Sequence, residues 1–170
     1  MPVQHFSVAP WPTSLKVSSA VGSLLLIAVG YGAMRVVPPS GFAHLFGSAV
    51  SCVPPAIALF SALFLVRGYD VKDTRLYVRR LLWSTVIPLT GLARVWHEPE
   101  AVKCSARIFG NAGLFSFTGL YQSQALGRYR LFGTDPTRAV VLSLPHRVVV
   151  ITPGAPEAFV QHLSRAFLGR

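Results

Sequence analysis

Five basic residues crowd one short stretch of this chain: Arg67, Lys72, Arg75, Arg79 and Arg80. Such side chains neutralise anions. Close to a bilayer each adds about 1 kcal/mol of attraction to anionic lipid, fading over a Debye length. The same residues would serve as topology determinants or solvated strand ends. No other constellation goes as far towards chemistry. Gly110-Asn111-Ala112-Gly113 followed by Gly119 offers bare backbone amides of the kind that cradle phosphate. It is not Gly-x-x-x-x-Gly-Lys-[Ser/Thr], and no lysine follows it. Glycines at a sharp loop between strands account for the run. His97, Glu98, Glu100 and Cys104 gather metal-ligating types without the paired Cys or His of zinc sites, and read as a solvated turn at Pro99. Ser116 and Ser123 lack the Gly-x-Ser-x-Gly elbow, and the acids are scattered. No residue is assigned to catalysis, to a cofactor or to a metal. The positive charge comes with no recognised nucleic-acid-binding motif.

The elements around the basic cluster give it a setting. Two apolar runs, Leu15 to Val37 and Phe42 to Val66, contain no Asp or Glu. Their fixed charges are Lys16 and Arg35, near the ends, where long side chains reach the headgroups. A hydrocarbon core of about 30 Å needs about 20 helical residues, so both runs are long enough to span it. Pro38-Pro39-Ser40-Gly41 is too short to permit anything but an antiparallel helical hairpin. Small residues four apart, Ser19/Ser23, Ala28/Gly32 and Gly47/Ser51, permit close approach. Pro54-Pro55 predicts a kink in the second helix.

Charge sets the expected orientation. Fourteen of the sixteen basic residues and all six acids lie from Arg67 onward, which leaves that part at +8. The linker between the runs has no Lys or Arg, whereas the cluster follows the second run at once. The positive-inside rule therefore places the C-terminal part, and with it the N-terminus, in the cytoplasm of a multi-pass inner (plasma) membrane protein. Lys16 precedes an apolar core, but no small-x-small cleavage site follows in polar surroundings, so the first run reads as an anchor and not a cleaved signal. Cys52 lies in a span and Cys104 outside it, which leaves no disulfide framework.

The expected divisions are a tail at 1–14, the helical hairpin at 15–66 and a soluble domain at 67–170. The tail reads as loose or lying on the membrane surface, with His5, Phe6 and Trp11 at the interface. Beyond Arg67 the periodicity changes. Thr74 to Leu89 is rich in β-branched and aromatic residues and predicts strands separated by a turn, and Leu92 to His97 predicts another. In 126–133, Leu126, Arg128, Arg130 and Phe132 alternate with Gly127, Tyr129, Leu131 and Gly133. Arg138–Leu144 and Arg147–Thr152 flank Pro145-His146 as a hairpin. Pro156 and Glu157 open a helix with Phe159, Val160, Leu163 and Phe167 on one face. The pattern predicts a mainly-β barrel or sandwich with a helix over an open end.

These residues resemble the bacterial pleckstrin-homology-like domains that follow a membrane anchor. The matching pieces are Val86-Ile-Pro-Leu with Ala93-Arg-Val, Gly110-Asn-Ala-Gly-Leu-Phe with Gly119, and Leu126-Gly-Arg-Tyr-Arg with Thr134-Asp135. Val140-Val-Leu, Val150-Ile-Thr-Pro and Pro156-Glu-Ala-Phe complete them. They run in order over about a hundred residues from Tyr69 to the C-terminus. The resemblance implies a pleckstrin-homology-like β barrel of two sheets with a C-terminal capping helix, and it transfers no catalytic residue. The basic headgroup motif of the eukaryotic domains is not recognisable. The expected function is non-enzymatic: a membrane-anchored domain that meets lipid headgroups or a protein partner. The alternative is a scaffold that recognises a peptide or assembles into a homo-oligomer without lipid.

Overall fold

The computed structural model describes residues 3–38 and 40–169. Its first strand comes from the segment expected to be a loose tail. Gln4–Ser7 (β1) pairs antiparallel with Gly68–Lys72 (β2), His5 opposite Asp70 and Phe6 opposite Tyr69. The tail is tied to the domain at several more points. Ala9 N donates to Thr152 O at 2.9 Å, Gly154 N to Ser7 O at 2.9 Å, and Thr134 Oγ1 to Ala9 O at 2.7 Å. The Phe6 ring meets Phe159 edge-on at 4.8 Å. A backbone strip without local hydrophobic alternation is thus fixed by partners more than sixty residues away.

Between β1 and β2 the chain leaves the domain as the helical hairpin. Thr13–Arg35 (α1) is continuous, whereas the second apolar run is divided into Phe42–Ser51 (α2) and Val53–Leu63 (α3). The break falls at Cys52, just ahead of Pro54-Pro55, because proline has no N–H for the preceding turn and its ring crowds it. Gly30 packs at this break: a Cβ there would lie 2.8 Å from both Ser51 O and Pro55 Cδ. The close approach therefore sits at Gly30, and Gly32 has open space beside it. Thr13–Arg35 and Phe42–Leu63 are long and apolar enough to cross a membrane.

Two antiparallel-rich sheets follow. The first has the order β1-β2-β3-β4, with Arg75–Arg79 (β3) and Ser84–Pro88 (β4). The second contains Arg94–His97 (β5), Ala106–Leu114 (β6), Ser116–Ser123 (β7), Gly127–Gly133 (β8), Val140–Leu144 (β9) and Arg147–Ile151 (β10). Its order is β5-β9-β10-β8-β7-β6, with β10 parallel to β8. The two sheets and the C-terminal helix implied by the resemblance are present, but the sheets do not close into a barrel: they face each other, and among the described residues each keeps outer strands with no further strand paired to them. The β9–β10 hairpin and the alternation of β8 follow the sequence pattern. Tyr129 and Leu131 enter one core and Phe132 the other.

The main core lies between the sheets, with Leu76, Val78 and Ile87 facing Leu142, Val149 and Ile151. Pro156–Leu163 (α4) closes one end by burying Phe159 and Leu163. Tyr69 bolts the sheets together: its hydroxyl donates to Phe132 O at 2.7 Å and accepts from Thr152 N at 3.1 Å. Burial pushes this phenol up to about 12 from its ordinary 10. Because the folded value is the higher one, its contribution is complete below pH 10 and is lost as pH rises through 12. Two pKa units correspond to about 3 kcal/mol. Thermal unfolding of the full chain in detergent between pH 9 and 12 should show this decline. Tyr69→Phe should flatten it while costing about 2 kcal/mol at neutral pH for the two partners left unpaired.

Candidate functional site

The β2–β3 ladder divides the five basic residues. Gly68 pairs with Arg79 at one end and Lys72 with Arg75 at the other. At about 3.4 Å per residue the two ends lie about 14 Å apart. Arg67 and Arg80 extend the first end, where Arg67 N donates to Arg79 O at 2.8 Å. That end adjoins the exit of α3. There Arg67, Arg79 and Arg80 line a hollow of about 230 Å³, and Lys72 and Arg75 do not contribute to it.

The three arginines differ in their state. Arg80 is only 7% exposed. Its Nη1 donates to Phe64 O at 3.0 Å and its Nε to Thr85 Oγ1 at 3.0 Å. The guanidinium lies 5.3 Å from the Phe64 ring, 5.4 Å from Phe132 and 5.9 Å from Trp83. Desolvation lowers its pKa from the ordinary arginine value. An expected surface contact is therefore an interior brace: Arg80 holds a helix-terminal carbonyl, which a C-terminal cation suits, and its planar ion stacks on rings. Arg79 stays half exposed, with Nε 3.6 Å from Asp70 Oδ1, and His5 Nδ1 is 2.8 Å from the same oxygen. Arg67 is exposed. Two exposed arginines and one buried one thus line the hollow; a guanidinium pairs with phosphate or carboxylate through forked N–H donors.

The other sequence candidates are occupied elsewhere. His97 Nδ1 lies 3.2 Å from Glu157 Oε1 on α4, and Glu100 pairs with Lys103 at 2.6 Å. Cys104 is exposed. Among the described residues no group of three or more His, Cys, Asp or Glu is placed to hold a metal ion. Ser116 Oγ donates to Phe64 O at 3.3 Å, and Ser123 Oγ accepts from Leu126 N at 3.1 Å. The glycines read as a loop stand inside paired strands. Gly110 and Gly119 face each other across β6 and β7 with φ of +116° and +153°. A Cβ on Gly110 would run into Thr118 O, and one on Gly119 into Phe109 O. Close backbone approach, and not anion binding, demands glycine at this pair.

Sequence reasoning passed over the apolar rim beside the arginines. Leu81, Leu82 and Trp83 form the exposed β3–β4 turn, and Trp83 meets Phe64 edge-on at 5.3 Å. The signal was present as three apolar residues at a turn, where polar types are the rule. Residues 67–167 match the family model described as Bacterial PH domain, and the two apolar helices lie N-terminal to the matched segment. No curated protein and no solved structure matches the chain.

Proposed function

This chain belongs to the bacterial PH domain family, and from that premise we propose that it is a non-enzymatic, membrane-anchored module. The helical hairpin spans the bilayer, both termini are cytoplasmic, and the domain holds anionic lipid headgroups at the hollow formed by Arg67 and Arg79 over Arg80. The observation that carries this reading is the position of the hollow: three arginines meet where the second apolar helix leaves the domain. A headgroup phosphate of the leaflet around that helix is the nearest anion such a site would meet.

The test titrates the full chain, in neutral detergent at physiological salt, with short-chain phosphatidylglycerol or phosphatidylcholine. Saturable binding of the anionic lipid alone is the expected result. Changing Arg67 and Arg79 together to Gln should weaken it about tenfold, equivalent to roughly 1.4 kcal/mol. Changing Lys72 and Arg75 to Gln should leave it within about twofold, because only salt-screened long-range attraction is lost. Equal binding of both lipids would sink the headgroup reading. A second reading, a scaffold that pairs with itself or a peptide, draws support from the free outer strands β4 and β6. Concentration-dependent association without lipid selectivity would favour it.

A further inference from the structure

We propose that the uncharged part of the β6–β7 hairpin, Ile108 to Phe115, is itself embedded in the bilayer, at the boundary between headgroups and acyl chains. This rests on the anchoring reading above. Four observations lead there, the first being charge. From Ile108 to Gly127 the chain carries no Asp, Glu, Lys or Arg, although the domain around it is strongly basic. Phe109 is 79% exposed and Ile108 47%. Two adjacent large apolar side chains left open on an outer strand need an apolar medium or a partner.

The second observation is the hairpin's position along the helices. Ser18 Oγ donates to Gly113 O at 2.6 Å, and Phe115 N donates to Ser19 Oγ at 2.8 Å. A Cβ on Gly22 would come within 3.1 Å of Leu114. On the other side, Phe60 and Phe64 face Phe109, Gly110 and Gly119 across a groove of about 350 Å³. The hairpin therefore packs against the flanks of the apolar helices and not on their ends.

Helix length points the same way. The helix α1 has 23 residues, about 34 Å at 1.5 Å per residue. The contacts through Gly22 leave Ser23 to Arg35 clear of the domain, about 20 Å of helix. A hydrocarbon core of about 30 Å cannot be filled by that length. It must extend down α1 towards Ser18, at the level of the hairpin tip. Keeping the hairpin in water would impose a mismatch of about 10 Å, which bilayers resist at a cost for each ångström.

The fourth observation is polar satisfaction. Non-helical backbone survives at membrane depth only where its polar groups have protein partners. The Asn111 side chain donates to Leu114 O and accepts from Leu114 N, and Tyr121 Oη donates to Asn111 O at 2.9 Å. With Ser18 on Gly113 O and Ser19 on Phe115 N, side chains hold the polar groups of the turn. They also support Phe115 at φ +65°, an uncommon conformation for a bulky residue.

The chain's two cysteines, both exposed, supply the controls for a test in full-length protein reconstituted into phosphatidylglycerol–phosphatidylcholine nanodiscs. An environment-sensitive fluorophore is placed singly at Cys52 (Cys104→Ser), at Cys104 (Cys52→Ala), or at Phe109→Cys in the cysteine-free chain. Quenching by nitroxide lipids is compared with quenching by aqueous iodide. The Phe109 label should be quenched several-fold more by a nitroxide high on the acyl chain than by iodide. The Cys104 label should show the reverse, and the Cys52 label should respond to a nitroxide deep in the chain. A Phe109 label behaving like Cys104 while Cys52 stays lipid-exposed overturns the inference alone. Protection of Phe109 from both quenchers means that a second copy or another protein face covers it, which also overturns it. An iodide-accessible Cys52 removes the anchoring reading and this inference with it.

Discussion

Deleting residues 3–9 from the full chain is expected to destabilise the domain by about 3–5 kcal/mol, although the segment lies on the far side of the helical hairpin from the family match. The figure combines a half-buried phenylalanine with a strand ladder. Phe6 packs on Phe159, and β2 loses its neighbour, so its amides face water as a new sheet edge. Thr134 Oγ1 and Thr152 O lose Ala9. Phe6→Ala alone should cost about 2–3 kcal/mol, below the range for a fully enclosed ring because one side of it stays exposed. Thermal unfolding in detergent and hydrogen exchange at Tyr69 and Val71 report the change. Exchange there should accelerate more than in β9, which sits inside the second sheet. Unchanged exchange at β2 would mean that β1 does not complete the first sheet. For the same reason residues 67–170 alone should be less stable than the whole chain, and lipid binding is best measured on the whole chain.

Replacing Arg80 by Ala should be the most damaging change within the basic cluster, at about 3 kcal/mol. Among the described residues the variant leaves Phe64 O with the longer bond from Ser116, and it opens a space among Phe64, Trp83 and Phe132. Lost charge-assisted hydrogen bonds and lost ring contacts each contribute about 1–2 kcal/mol. Lys at this position keeps the charge without the planar fork and should recover less than half the loss. Arg75→Ala, at the exposed distal end of the hairpin, should stay within about 0.5 kcal/mol. Chemical unfolding followed by tryptophan fluorescence separates these outcomes. A neutral effect at Arg80 would show that the helix exit is not held by this side chain.

At the N-terminal strand and at Arg80 local pattern stops being informative. The basic cluster was legible as five charges in one stretch, and the β9–β10 hairpin and α4 were legible from alternation and from the Phe159–Leu163 face. Whether an arginine stands in water or under a helix end depends on which rings arrive around it, and Phe64, Trp83 and Phe132 come from three separate elements. Gly110 and Gly119 looked like loop glycines because sequence shows small residues but not the strand opposite. Gln4–Ser7 alternates too weakly and is too short to announce a strand.

Sequence by itself determined the partition of this protein: two apolar helices whose fixed charges, Lys16 and Arg35, stand near the ends of the first, a basic mainly-β segment behind them and an amphipathic helix at the end. These features follow from hydrophobic periodicity and charge, which are properties of neighbouring residues. Tertiary structure alone decided that β1 precedes the helices yet completes the first sheet. It also decided that the sheets stay open, that the basic cluster divides between two hairpin ends, and that the uncharged part of the β6–β7 hairpin packs on α1. Each of these is a choice of partner across tens of residues. Strand pairing and side-chain burial select partners by the fit of the whole fold, and no local propensity encodes that fit.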